Sequence, residues 1–108
     1  MVRQITPKDL AVSLENGRTV RLLDVRQPEE HNICSLPDAL LIPLNELPQQ
    51  AGSLPFGKEE QVVVYCHHGI RSLRGAAYLE QLGFTDVSSL AGGIDAWACD
   101  VDPDVARY

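Results

Sequence analysis

The segment Gln61-Val62-Val63-Val64-Tyr65 carries three consecutive β-branched residues and no charge. A strand apolar at successive positions is covered on both faces, which belongs at the centre of a parallel sheet. The rest of the chain supplies alternating strands and helices. Thr6-Pro7-Lys8-Asp9 predicts a helix start, with Thr as N-cap and Pro at the first helical position, and Asn16-Gly17 ends that helix. Strands are expected over 20–25, 40–42 and 86–90, and helices over 27–31, 71–82 and 94–98, with a weaker helix over 44–50 interrupted by Pro48. This alternation predicts an α/β fold with helices on both faces of a mostly parallel sheet.

The chain has 108 residues, enough for one domain with a core of its own and no disulfide staples. Nine basic residues face 15 acidic ones, a net charge of −6, which argues against nucleic acid and anionic membrane as partners. No apolar run approaches the ~20 residues of a membrane span. The first residues, Met1-Val2-Arg3-Gln4-Ile5, show no signal-peptide core. Cys34, Cys66 and Cys99 make an odd count without a CxxC pair, so a reducing, cytoplasmic setting is expected and each thiol is a candidate nucleophile.

Cys66 has the strongest claim. Ligand sites of open α/β sheets lie at the carboxyl ends of strands, and the central strand ends at this residue. His67, His68, Gly69 and Ile70 then form a tight loop leading to a helix near Arg71. Backbone N–H groups of such a loop converge on one point, and the helix dipole adds to their pull on negative charge. The thiolate is the nucleophile, so the placement suits attack on a substrate that brings or develops anionic charge. Gly69 fits a loop that needs positive φ or close backbone approach. A buried structural cysteine is the plain alternative. A metal site built on Cys66, His67 and His68 is disfavoured, because adjacent histidines seldom point at one ion and no other ligand cluster exists; no metal or cofactor is expected.

Asp24-Val25-Arg26 ends the second strand. If that strand neighbours the central one, both charged residues share an edge with Cys66. Arg26 could then bind an anionic substrate through its guanidinium, with Asp24 holding Arg26 or the loop. A solvated ion pair is the competing reading of this segment.

Several segments resemble rhodanese-like domains. Asp24-Val25-Arg26-Gln27-Pro28-Glu29-Glu30-His31 is similar to the family's Asp-Val-Arg-x-x-x-Glu element, and Ile42-Pro43-Leu44 follows at the family's spacing. Tyr65-Cys66-His67-His68-Gly69-Ile70-Arg71-Ser72 resembles the active-site pattern Tyr-Cys-x-x-Gly-x-Arg-Ser. Gly83-Phe84 and Leu90-Ala91-Gly92-Gly93-Ile94-Asp95-Ala96-Trp97 resemble its closing elements. The resemblance implies a three-layer α/β/α sandwich around a mostly parallel five-stranded sheet, with 1–108 as one rhodanese domain. It also implies a sulfurtransferase of the thiosulfate sulfurtransferase class. Cys66 would take a sulfane sulfur from a donor such as thiosulfate and pass it to a thiol, cyanide or a sulfur-carrier protein. The amides from His67 to Arg71 would cradle the persulfide, Arg71 would brace the loop, and Arg26 would stand at the pocket rim.

Four residues separate Cys66 from Arg71, whereas protein tyrosine phosphatases place five between cysteine and arginine. The shorter ring favours a lone sulfur over a phosphoryl group and opposes a phosphatase or arsenate reductase. Cys34-Ser35-Leu36-Pro37-Asp38-Ala39 and Leu41 depart from the family pattern away from this loop. Thiosulfate-specific members often carry Lys or Arg inside the loop, where this chain has His67 and His68, so weaker thiosulfate turnover is expected. The same feature favours a rival role, a persulfide carrier loaded by a partner protein. The segment 101–108 resembles the tail of rhodanese domains fused behind adenylating enzymes that serve ubiquitin-like sulfur carriers; a solvated acidic tail is the alternative. Trp97 is expected to pack the last helix on the sheet, and Cys34 or Cys99 is at most a resolving thiol.

Overall fold

The computed structural model describes residues 2–108. In chain order its elements are β1 (Arg3–Ile5), α1 (Pro7–Glu15), β2 (Val20–Asp24), α2 (Pro28–Ile33), β3 (Leu40–Leu41), α3 (Leu47–Gln50), β4 (Gln61–Tyr65), α4 (Ile70–Gln81), β5 (Val87–Leu90) and α5 (Gly93–Asp100), with short 3₁₀ turns on either side of α3. The strands form one five-stranded sheet in the order β1-β5-β4-β2-β3, and every described pairing is parallel.

The central place of β4 follows from its side chains. Val62 and Val64 face one cluster with Leu23, Leu47, Ala76 and Leu79, while Val63 and Tyr65 face another with Leu10, Leu22, Ile94 and Trp97. These four of the five β4 residues are fully buried. Helices α3 and α4 thus cover one face and α1 and α5 the other, giving three layers. Trp97 packs in the second cluster, as its place in the sequence suggested.

β1 was not expected. It is three residues long, with Arg3 and Gln4 exposed, and so lacks any apolar alternation; it is fixed by pairing Arg3, Gln4 and Ile5 with Ser88, Ser89 and Leu90. The helix start at Thr6 is as expected: the Thr6 hydroxyl accepts the Asp9 N–H at 3.1 Å, and Pro7 opens the helix. No helix among the described residues is long and apolar enough to cross a membrane.

Candidate active site

The parallel register sets Asp24 beside Tyr65, so β2 and β4 end together. Asp24-Val25-Arg26 and the Cys66 loop therefore leave the sheet at the same edge. Cys66 Sγ lies at the amino end of α4. It accepts the N–H of Gly69 at 3.1 Å and that of Ser72 at 3.4 Å. The Ser72 hydroxyl is 3.5 Å from the sulfur and 2.7 Å from the Ser89 hydroxyl. Gly69 makes the turn with φ of +100°, and a Cβ there would meet the Gly92 nitrogen at 3.1 Å.

The loop is also held from behind. The Cys66 carbonyl accepts the Ile94 N–H at 2.9 Å, and the His67 carbonyl accepts that of Asp95 at 3.1 Å. Across a trans peptide, N–H and C=O point in opposite directions. The N–H groups of His67 and His68 consequently face away from α5. Gly93 permits this docking: its φ is +65°, and a Cβ would lie 2.5 Å from the Cys66 carbonyl oxygen and closer still to that of His67. Gly93→Ala should cost about 2–4 kcal/mol, combining left-handed strain with displacement of the loop. Urea unfolding measures this, and a cost below about 1 kcal/mol would mean the loop accommodates the methyl freely.

Cys66 stands where the tight loop begins, and it is only 1% exposed. The sulfur is enclosed where the Gly69 and Ser72 amides point at it and the Cys66 and His67 carbonyls are tied to α5. One expectation needs correction. Arg26 was expected at the pocket rim, but its side chain is fully buried. Its Nε and Nη2 donate to Asp24 Oδ1 and Oδ2 at 2.9 and 2.7 Å, Nη2 donates to the Cys34 carbonyl at 2.6 Å, and Nη1 donates to the Tyr108 hydroxyl at 2.8 Å. These bonds occupy the guanidinium that a substrate would need.

Burial alone would raise the Asp24 carboxyl, but bonds from Arg26 and His31 outweigh it and hold the group below its ordinary range. Asp24 also accepts the Arg26 backbone N–H at 3.0 Å, so it closes the turn that follows β2.

Arg71 braces the loop from its far end. Its Nη1 and Nη2 donate to Glu30 Oε1 and Oε2 at 2.7 and 2.8 Å, a two-pronged bond between α4 and α2. Arg71 holds the Glu30 carboxyl down at about 2. His67 lies between two rings, its centroid 3.8 Å from both His68 and Tyr108. Burial pushes the His67 imidazole down, so it is neutral at pH 7. Ile70 is the exposed tip of the loop, 73% accessible. Beside Arg71 opens a groove of about 560 Å³, walled by Leu44, Leu47, Arg74 and Tyr78.

Ser72, Ser89 and Tyr108 are neighbours of the site to which sequence reasoning gave no role. A faint signal existed for Ser89, a polar residue inside the fully buried strand Val87–Leu90. Cys34 Sγ is 3.9 Å from Arg26 Nη1, and Cys99 is exposed on α5. All three cysteines are free, and among the described residues no group of three or more His, Cys, Asp and Glu could hold a metal ion.

A three-layer parallel α/β domain with a cysteine at the central strand's end and a short amide-rich loop defines a class. The family model described as "Rhodanese-like domain" matches residues 6–100, and the chain belongs to that family. It is 40% identical over 106 residues to a protein named Sulfurtransferase from Allochromatium vinosum, covering 98% of this chain and 97% of that protein. It is 38% identical over 104 residues to a probable adenylyltransferase/sulfurtransferase MoeZ of Mycobacterium tuberculosis, covering 96% of this chain but 26% of that protein. The chain thus spans about a quarter of that relative's length. Among solved structures, a rhodanese-like domain protein from Staphylococcus aureus superimposes with a TM-score of 0.83 at 32% identity over 99% of both chains. The human single domain sulfurtransferase TSTD1 gives 0.81 at 28% identity, over 93% of this chain and 98% of that one. Sulfur transfer in general is the chemistry this kinship supports.

Proposed function

We propose that residues 1–108 act as one rhodanese domain that moves a sulfane sulfur through a persulfide on Cys66. The observation that carries this reading is the sulfur's position at the amino end of α4, with the Gly69 N–H at 3.1 Å and the Ser72 N–H at 3.4 Å. These donors favour negative charge on sulfur, both in the attacking thiolate and in the persulfide. With thiosulfate, the Cys66 thiolate attacks the outer sulfur, the sulfur–sulfur bond of the donor breaks, and sulfite leaves with the bonding electrons. A thiol, cyanide or a sulfur-carrier protein then attacks the outer sulfur of the persulfide, and the Cys66 thiolate departs. The resemblance to two-activity adenylyltransferase/sulfurtransferases supports a protein acceptor, and the groove beside Arg71 offers such an acceptor room. The reducing cytoplasm is the compartment this chemistry suits.

The second reading is a persulfide carrier loaded only by a partner. The neutral His67 favours it, since an uncharged loop does not attract a small anionic donor. Intact-mass measurement separates the two. A gain of one sulfur, about 32 Da, after thiosulfate alone supports the enzyme; a gain only with a cysteine desulfurase and cysteine supports the carrier. No gain under either condition would overturn both.

Loop charge is tested at His68, whose side chain is 61% exposed, because His67 is confined between rings. His68→Lys should raise kcat/KM for thiosulfate about three- to tenfold, an effect of roughly 1 kcal/mol from one partly screened cation. Steady-state thiocyanate formation measures it; an unchanged value would remove loop charge as the reason for weak thiosulfate use.

A further inference from the structure

The chain beyond α5 is not a free tail. Val101 and Val105 pack against the second core cluster, and Arg107 Nε donates to Asp95 Oδ1 at 2.9 Å. These contacts deliver Tyr108 to the Cys66 loop. Its ring is nearly parallel to that of His67, at 7° and a centroid distance of 3.8 Å. Its hydroxyl accepts from Arg26 Nη1 and donates to Glu30 Oε2, both at 2.8 Å. Glu30 in turn holds Arg71. His67 opens the loop and Arg71 closes it. One aromatic side chain is therefore moored directly to His67 and, through Glu30, to Arg71.

This arrangement has the properties of a cover rather than of core packing. Tyr108 remains 40% exposed, while Cys66, the residue before the His67 ring it stacks on, is 1% exposed. Its hydroxyl meets two charged partners already paired elsewhere, Arg26 with Asp24 and Glu30 with Arg71, so its departure strips neither of its main bond. The moorings are one ring stack, two hydrogen bonds and the Arg26 guanidinium 5.8 Å over the ring, all side-chain contacts that can open on the timescale of side-chain and loop motion.

We infer that Tyr108 is a specificity-determining gate on Cys66: seated, it admits small reactants to the sulfur, and it must swing out for bulky ones. The inference deepens the proposed sulfur transfer and rests on Cys66 as the sulfur-bearing residue.

The test has two readouts. The first needs no sulfur chemistry: the rate of Cys66 alkylation by N-ethylmaleimide, followed by peptide mass mapping so that Cys34 and Cys99 are scored separately. Tyr108→Ala should speed Cys66 alkylation at least tenfold. Tyr108→Phe keeps the stack but loses both hydroxyl bonds, and should speed it about three- to thirtyfold. Circular dichroism establishes that each variant is folded; should the alanine variant fail to fold, the phenylalanine variant decides alone. Wild-type rates in a folded variant would overturn the gate.

The second readout is transfer from the preformed Cys66 persulfide. Tyr108→Ala should accelerate transfer to glutathione at least fivefold more than transfer to cyanide. Equal acceleration would overturn selection by size. The two layers fail separately. Faster alkylation in variants that never accept a sulfur would leave the gate and sink the sulfur-transfer reading; sulfur loading with unchanged alkylation would do the reverse.

Discussion

Cys66→Ser should abolish sulfur loading, lowering sulfur transfer at least about a thousandfold, while Cys34→Ser and Cys99→Ser stay within about twofold of the parent chain. The size follows from the chemistry: a serine hydroxyl is not deprotonated at neutral pH and forms no persulfide. The selectivity follows from place. Cys66 Sγ is the sulfur that accepts the Gly69 and Ser72 amides, whereas Cys34 Sγ lies 3.9 Å from the buried Arg26 and Cys99 is exposed on α5. Intact mass after thiosulfate or desulfurase treatment, with peptide mapping of the added sulfur, measures it. Loading that survives in Cys66→Ser, or disappears in Cys34→Ser, would move the chemistry to another thiol.

Arg26→Met should destabilise the chain by about 3–5 kcal/mol, the usual result of removing one partner of a buried ion pair. Asp24 would stay fully buried with the His31 ring as its remaining polar side-chain neighbour, their closest atoms 2.8 Å apart, and the Cys34 carbonyl and Tyr108 hydroxyl would lose a donor. The effect depends on pH with a definite sign. Asp24 has a folded pKa below its ordinary 3.8. Its contribution is therefore fully present above about 4 and is lost as pH falls through the lower folded value. Urea unfolding at pH 7 and pH 3 should show the largest gap between parent and variant at pH 7. A loss under 1 kcal/mol at neutral pH would show that water or a rearranged His31 replaces the guanidinium. The Glu30–Arg71 pair adds acid sensitivity to both proteins, since Glu30 titrates at about 2.

What the sequence disclosed about this site is what lies close together along the chain. β4, the loop after Cys66 and the start of α4 form one continuous stretch, and β-branched run, glycine and helix pattern all agree there. Asp24 and Arg26 were traceable to the same sheet edge because parallel strands of similar length end together. Their roles were not traceable. Whether Arg26 faces solvent or the interior depends on the Cys34 carbonyl and Tyr108, eight and 82 residues away. The same holds for Glu30 and Arg71, 41 residues apart, and for the Ser72–Ser89 hydroxyl pair. No local propensity encodes such meetings. β1 escaped notice for a different reason: an edge strand of three residues has too few positions to display a period.

The bonds from Ile94 and Asp95 to the Cys66 and His67 carbonyls give the loop an unusual dependence on chain order. Everything that surrounds the sulfur within the stretch 66–72 is synthesised before the residues that orient it. A nascent chain ending at β5 would own the strand, the cysteine and the helix, yet leave those two carbonyls facing water and the intervening peptides at liberty to rotate. The two ties that fix the backbone next to the thiol are thus completed only when α5 docks.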